Sequence, residues 1–225
     1  MKLYELIRWT HVAAGTLALL GFWLNAALRK GSPLHSRVGE GYLLVMAVVM
    51  ATALPIAWQA FANDEPVRGV FLAYLVVITA TPTWLAWRAI RDKRDFSAYI
   101  GVPYRGFAVA SLLSGLAVLA AGLYYRVPLL AGFSLVGIVT GGLMLRFARR
   151  GTAQPRWWLR EHYIAIGGCG VATHIAFMNI GLSRMLPEGW SGATQAFGWF
   201  GPLVISVIAR AWLDRKYKFV PAATR

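Results

Sequence analysis

Four histidines, His11, His35, His162 and His174, are the residues in this chain whose type and spacing point most directly to chemistry. Two of them fall in the stretch REHYIAIGGCGVATHIAF, residues 160–177, which otherwise reads as a membrane helix, with three glycines and the single cysteine Cys169 between the imidazoles. Imidazole is expensive in hydrocarbon, so its presence there marks a functional position by default. Glycine recurs beside the rings: Gly15 four residues after His11, Gly39 four after His35, and Gly170 four before His174. His162 has Ile166 at that offset and Gly167 next to it. Paired imidazoles with the bulk removed one turn away suit the two axial nitrogens of a low-spin haem iron and the flat slot its macrocycle needs.

The elements that must position these rings are membrane spans. Of 225 residues, 58% are hydrophobic and 14% charged, and the mean hydropathy is +0.54. Apolar runs long enough to cross about 30 Å of hydrocarbon recur along the chain. They predict seven transmembrane helices, at 4–27, 41–62, 67–88, 106–125, 127–146, 160–184 and 192–213, as a single all-α polytopic domain over residues 1–225. The net charge of +14 is spread over alternate loops and forms no nucleic-acid patch or motif. Eighteen of the 23 basic residues lie in 28–40, 88–105, 146–160 and beyond 209; Lys2, Arg8, Arg68, Arg126 and Arg184 are the others. The excess of positive charge on cytoplasmic loops then predicts an outside N-terminus and a cytoplasmic C-terminus, in a cell inner (cytoplasmic) membrane. Aromatic residues support both boundaries: Trp9, Trp58, Tyr124, Tyr125 and Trp190 at outer ends, Trp84, Trp87, Trp157, Trp158 and Trp212 at inner ends.

Other features bound the reading. A single cysteine excludes an internal disulfide framework, and Cys169 among glycines reads as a packing residue. The first span is long and lacks a small-residue cleavage site, so no cleavable signal peptide is expected. Pro55, Pro82 and Pro202 fall inside the second, third and seventh spans. Most glycines read as close helix packing through small residues. No nucleophile elbow, phosphate loop, nucleotide fingerprint or flavin domain is present, so electrons would have to come from a quinol, a small reductant or a redox partner protein.

On this topology the histidines sort by depth. His11 is expected about 10 Å and His174 about 15 Å below the outer surface, while His35 and His162 both fall at the cytoplasmic end. This gives an outer pair, His11 with His174, and an inner pair, His35 with His162, stacked as two b-type haems would be in a cytochrome that moves electrons across the bilayer. His162 and His174, twelve residues apart, stand about 18 Å apart along the helix and about 120° apart around it, so the two cofactors would face different partner helices. Arg37 and Arg160 are placed to grip haem propionates or to neutralise Glu40 and Glu161. Two other readings stay open. His35 and His162, with Glu40 and Glu161, could instead hold a transition metal or relay a proton. Alternatively, the chain could be a cofactor-free accessory or assembly subunit, or a small-solute transporter, whose histidines bond backbone carbonyls, threonines or lipid phosphates.

The stretch HVAAGTLALLGFWLNAALRKGSPLHSRVGEGYLLVMAVVM resembles the opening of bacterial predicted membrane proteins that carry a domain of unknown function of the 2306 type. WWLREHYIAIGGCGVATHIAFMNIG is similar to a later segment of the same family. The resemblance covers about a third of the chain and implies no activity. Its histidines are similar in kind to those of two-haem cytochromes of the b561 type, in which a four-helix core supplies all four ligands. Here the third, fourth, fifth and seventh spans hold no histidine and the sixth holds two, so the layout departs from that pattern.

Overall fold

A computed structural model describes residues 2–151, 154–181 and 192–219. Among the described residues every regular element is helical: α1 (Lys2–Ala27), α2 (Pro33–Ala62), α3 (Pro66–Arg91), α4 (Phe96–Tyr99), α5 (Val102–Tyr124), α6 (Pro128–Ala148), α7 (Trp157–Ala176) and α8 (Gly192–Lys216). A single π-helical segment, Phe177–Gly181, continues α7. Proline in the first turn opens α2, α3, α5 and α6, where its missing N–H costs nothing and its fixed φ favours helix. Ser32 caps α2 by accepting the backbone N–H of His35 at 3.1 Å, so the cap that starts the helix also fixes His35 in its first turn.

Five of these helical stretches are long and apolar enough to cross a bilayer: Pro33–Ala62, Pro66–Arg91, Phe96–Tyr124, Pro128–Ala148 and Thr194–Lys216. They contain the expected spans 41–62, 67–88, 106–125, 127–146 and 192–213 to within a few residues at each end. The expected span 4–27 coincides with α1, and 160–181 of the expected span 160–184 with α7 and its π-helical end, residues 182–184 lying outside the described residues. Both have the length, but each carries charged and polar side chains, Glu5, Arg8, His11 and Asn25 in α1 and Arg160, Glu161, His162 and His174 in α7. Arg184, Trp190 and Arg225, used above for orientation, lie outside the described residues. Leu17, Leu20, Leu44, Leu113, Leu135, Ile205 and Ile208 all point outward, an arrangement that water penalises and lipid does not. The loop 88–105 holds one unexpected element: the Asp95 carboxylate accepts the Ala98 N–H at 2.9 Å and caps the short helix α4. Those bonds, from Ala98 first and then the Ser97 hydroxyl, hold the Asp95 carboxyl below the usual carboxylate range.

Connections alternate between two ends of the bundle. One, here the basic end, holds 28–32, 92–101, 149–151, 154–156 and the residues after α8, 217–219; the other holds 63–65 and 125–127. α3 is central, packing on α2, α5 and α7, while α1 closes on α2 and α7, and α8 on α7. The most extensive seam is α5–α6, where glycines on both helices bring the backbones together. A Cβ at Gly141 would stand 2.5 Å from the Ala108 carbonyl oxygen, and one at Gly122 would stand 2.6 Å from the Ala131 nitrogen. Beside this seam the Tyr74 hydroxyl of α3 enters the backbone ladder of α6, donating to the Phe133 carbonyl and accepting the Gly137 N–H, both at 2.8 Å. That side chain thus occupies the place of an i→i−4 bond and locks α3 to α6.

The glycines of α7 answer the question its sequence raises. Gly167 faces Ser206 of α8, Gly168 faces Pro82 of α3, and Gly170 faces Phe22 of α1, with would-be Cβ contacts of 3.1, 3.1 and 2.5 Å. Cys169 between them is fully buried with Ala18, Tyr42 and Met46, its sulfur 3.5 Å from the Thr83 hydroxyl. Consecutive small residues let α7 be gripped by four helices at once, which makes it the hub on which both of its histidines are mounted.

Candidate functional site

α2 and α7 place His35 and His162 at one level, at the basic end. Tyr42 of α2 and Phe22 of α1 touch, with ring centroids 6.3 Å apart, and Phe22 fills the space beside Gly170, so these three residues mark one level of the bundle. From that level His35 is seven residues and His162 eight residues toward the basic end, about 10 and about 12 Å. The ring of His162 is fixed from behind, its Nδ1 sharing a 3.0 Å hydrogen bond with the Ala86 carbonyl of α3. A carbonyl only accepts, so Nδ1 carries the proton and the Nε2 lone pair is left free, the arrangement of a metal-ligating histidine supported by its second shell.

Around this pair the structure leaves several buried polar atoms without a hydrogen-bond partner. Two of them, Nδ1 of His35 and Oδ1 of Asn25, lie where α1 meets the start of α2, while the Tyr42 hydroxyl lies a level away, in the cluster that holds Cys169. Buried polar atoms normally find partners, so these two at the α1–α2 junction mark a place where something polar belongs. Lys30 completes the electrostatics. Its ammonium donates to the carbonyls of Asn25 and Ala26 at 2.8 and 2.7 Å, capping α1, and it lies close enough to His35 to act on its charge. Burial, and after it the positive charge of Lys216, holds the Lys30 amine below the usual lysine value.

The outer pair is not assembled. From the Phe22–Gly170 level, His174 lies one turn, about 6 Å, and His11 eleven residues, about 16 Å, toward the opposite end, which separates them by about 10 Å along the bundle. Each has other partners. His11 places Nδ1 3.1 Å from the Val49 carbonyl and 2.9 Å from the Thr52 hydroxyl, both on α2. His174 places Nδ1 2.6 Å from the Gly170 carbonyl, and its Nε2 accepts the indole N–H of Trp23 at 3.0 Å. The expectation that His11 and His174 share one iron is therefore corrected: counting residues from a loop gave them similar depths, but the span ends are not level, and side-chain contacts set the register.

The glycine slots are corrected with it. The Phe22 ring fills the space beside Gly170, and the Asn25 amide, 3.0 Å from a would-be Cβ, occupies that beside Gly39. Gly15 opens onto empty space. The arginines divide as well. Arg37 is exposed. Arg160 is committed to Asp214 of α8 by two parallel bonds, Nε and Nη2 each 2.9 Å from a carboxylate oxygen, and Tyr163 also donates to that carboxylate. Arg160 thus clamps α7 to α8. Asp214→Asn removes the charge from this clamp and is expected to cost about 2 kcal/mol, the scale of charge-assisted hydrogen bonds, read as a lower midpoint of thermal unfolding in detergent.

The metal alternative built on His35, His162, Glu40 and Glu161 also fails on geometry. Glu40 is exposed, and Glu161 turns to the other side of α7 and accepts the Tyr99 hydroxyl at 3.2 Å. Among the described residues no three histidine, cysteine, aspartate or glutamate side chains gather as metal ligands.

No family model, curated protein or solved structure matches this chain. Function must therefore be argued from the site. Its unforeseen members are Asn25 and Lys30. Asn25 was the more legible of them, as an amide inside an apolar span.

Proposed function

We propose that the chain is a seven-span protein of the cytoplasmic membrane, with its N-terminus outside and its C-terminus in the cytoplasm. In this reading it binds one b-type haem at the cytoplasmic end, between His35 and His162. What supports this reading is the common level of His35 and His162 at the basic end of α2 and α7, with Nδ1–H of His162 held by the Ala86 carbonyl and two partnerless polar atoms, Nδ1 of His35 and Oδ1 of Asn25, at the α1–α2 side of that level. A haem at this position supplies one-electron transfer, in exchange with a quinol, a small reductant or a redox partner protein. The chain's own residues do the rest. Ser32 fixes His35 at the start of α2, and Ala86 orients His162. Lys30 supplies positive charge on the cytoplasmic side, where anionic propionates would point. The residues of the outer pair do not fit a second haem, since His11 and His174 stand at different levels and Nε2 of His174 is occupied by Trp23.

The test is an absorption spectrum of detergent-purified protein expressed with adequate haem, oxidised and then reduced by dithionite, with haem quantified as its pyridine complex. The expected result is a Soret band, sharp reduced α and β bands, and one haem per chain. A protein spectrum with no Soret band removes the proposal. That outcome favours the second reading, a cofactor-free accessory or transport protein, for which the satisfied hydrogen bonds of His11 and His174 are the specific support.

A further inference from the structure

At the basic end, the segment Arg91-Asp92-Lys93-Arg94-Asp95 joins α3 to α4, and its charges are divided unevenly. Both carboxylates are used within the fold. Asp92 pairs with Arg88 of its own helix, and Asp95 caps α4 and accepts the Ser97 hydroxyl at 2.7 Å. The three cations Arg91, Lys93 and Arg94 are exposed and, among the described residues, have no hydrogen bond or ion pair. Two of them lie over indoles instead: the Arg91 guanidinium 4.9 Å from the Trp87 ring, and the Lys93 ammonium 6.0 Å from that of Trp158 on α7. Trp87 and Ile90 below them are exposed apolar side chains, 43% and 40% accessible.

We propose that this end of the α3–α7 face is a binding site for an anionic phospholipid. Its phosphate would be held by Arg91 and Lys93 and its acyl chains would run past Trp87 and Ile90. The chemistry of this surface matches a lipid from headgroup to tail: unpaired cations at the helix end, indoles at the depth where the two regions meet, and apolar surface beneath. A free phosphate would use only the cations and leave the indoles and Ile90 unexplained. The proposal rests on the chain residing in a membrane and is independent of haem.

Two measurements test it. Each basic side chain at an anionic surface is worth about fivefold in binding, so Arg91→Gln with Lys93→Gln is expected to lower affinity for phosphatidylglycerol about 25-fold. Affinity is read by titrating detergent-purified protein with that lipid in native mass spectrometry. Phosphatidylcholine is expected to bind weakly to both proteins, inorganic phosphate not to compete, and Arg126→Gln at the other end of the bundle to change nothing. Unchanged phosphatidylglycerol affinity in the double variant overturns the site, and competition by inorganic phosphate overturns the lipid as its occupant. The wild-type protein supplies the second measurement. A photoactivatable phosphatidylglycerol in vesicles should crosslink within residues 87–93 and at Trp158, and labelling confined to other segments also overturns the proposal. A protein lacking a Soret band but labelled at these positions would separate failure of the haem reading from failure of this one.

Discussion

Loss of the Soret band is the expected result of His162→Gln, with the protein still folded. The glutamine amide can donate to the Ala86 carbonyl as the imidazole N–H does, so the link from α7 to α3 survives while the ring lone pair disappears. His35→Ala is expected to have the same spectral effect from the other side of the site, and added imidazole to restore part of the band to His162→Gly. The contrast lies in the other two histidines. His174→Gln gives up the bond from Nδ1 to the Gly170 carbonyl, and His11→Gln weakens the tie to Val49 and Thr52, each costing about 1 kcal/mol of stability and leaving the spectrum unchanged. Spectra and haem content of the four variants, each first shown to be monodisperse and helical, decide the matter. Should His162→Gln keep its full haem complement, or should all four variants lose haem together, the assignment of the inner pair is wrong.

The sequence carried the helices plainly and the site only partly, for a physical reason. Seven apolar runs, four first-turn prolines and the alternation of basic loops all act locally, and each left a mark within a few residues of the element it defines. His35 and His162 were legible as lying at one level because each sits close to a helix start at the same end, so an error in counting has little length over which to grow. His11 and His174 were each placed by counting from a span boundary, and an offset of seven residues between neighbouring helices, invisible in either helix alone, amounts to about 10 Å. Gly170 was misread for a related cause. A glycine one turn from a histidine makes space, but what enters that space is settled by the neighbouring helix, and here the ring of Phe22 does. The clamp of Arg160 on Asp214 joins residues 54 apart in sequence and had no local signature.

The largest effect on stability is expected at the α5–α6 seam, from Gly141→Leu. Gly137 and Gly141 form a Gly-x-x-x-Gly pair on α6. A Cβ at position 141 would meet the Ala108 carbonyl oxygen at 2.5 Å, the Leu112 nitrogen at 2.7 Å and the Leu112 Cβ at 2.8 Å. Two of these three atoms are backbone, so no rotamer change relieves the contact and the helices themselves must part. Separating them also strains the Tyr74 hydroxyl, whose bonds to Phe133 and Gly137 require α3 and α6 to stay close. In lipid, where apolar side chains gain nothing by leaving solvent, close packing of this kind supplies much of the association between helices. The expected cost is about 3 kcal/mol or more, the upper range for overpacking, because the obstacle is backbone on both sides. Gly142 is the control: it is exposed with nothing within 4 Å of a would-be Cβ, so Gly142→Leu is expected to be neutral or slightly stabilising through better helix propensity. Thermal or denaturant unfolding of the two variants in the same detergent reads the difference. Equal midpoints would mean that α5 and α6 do not meet through their glycines.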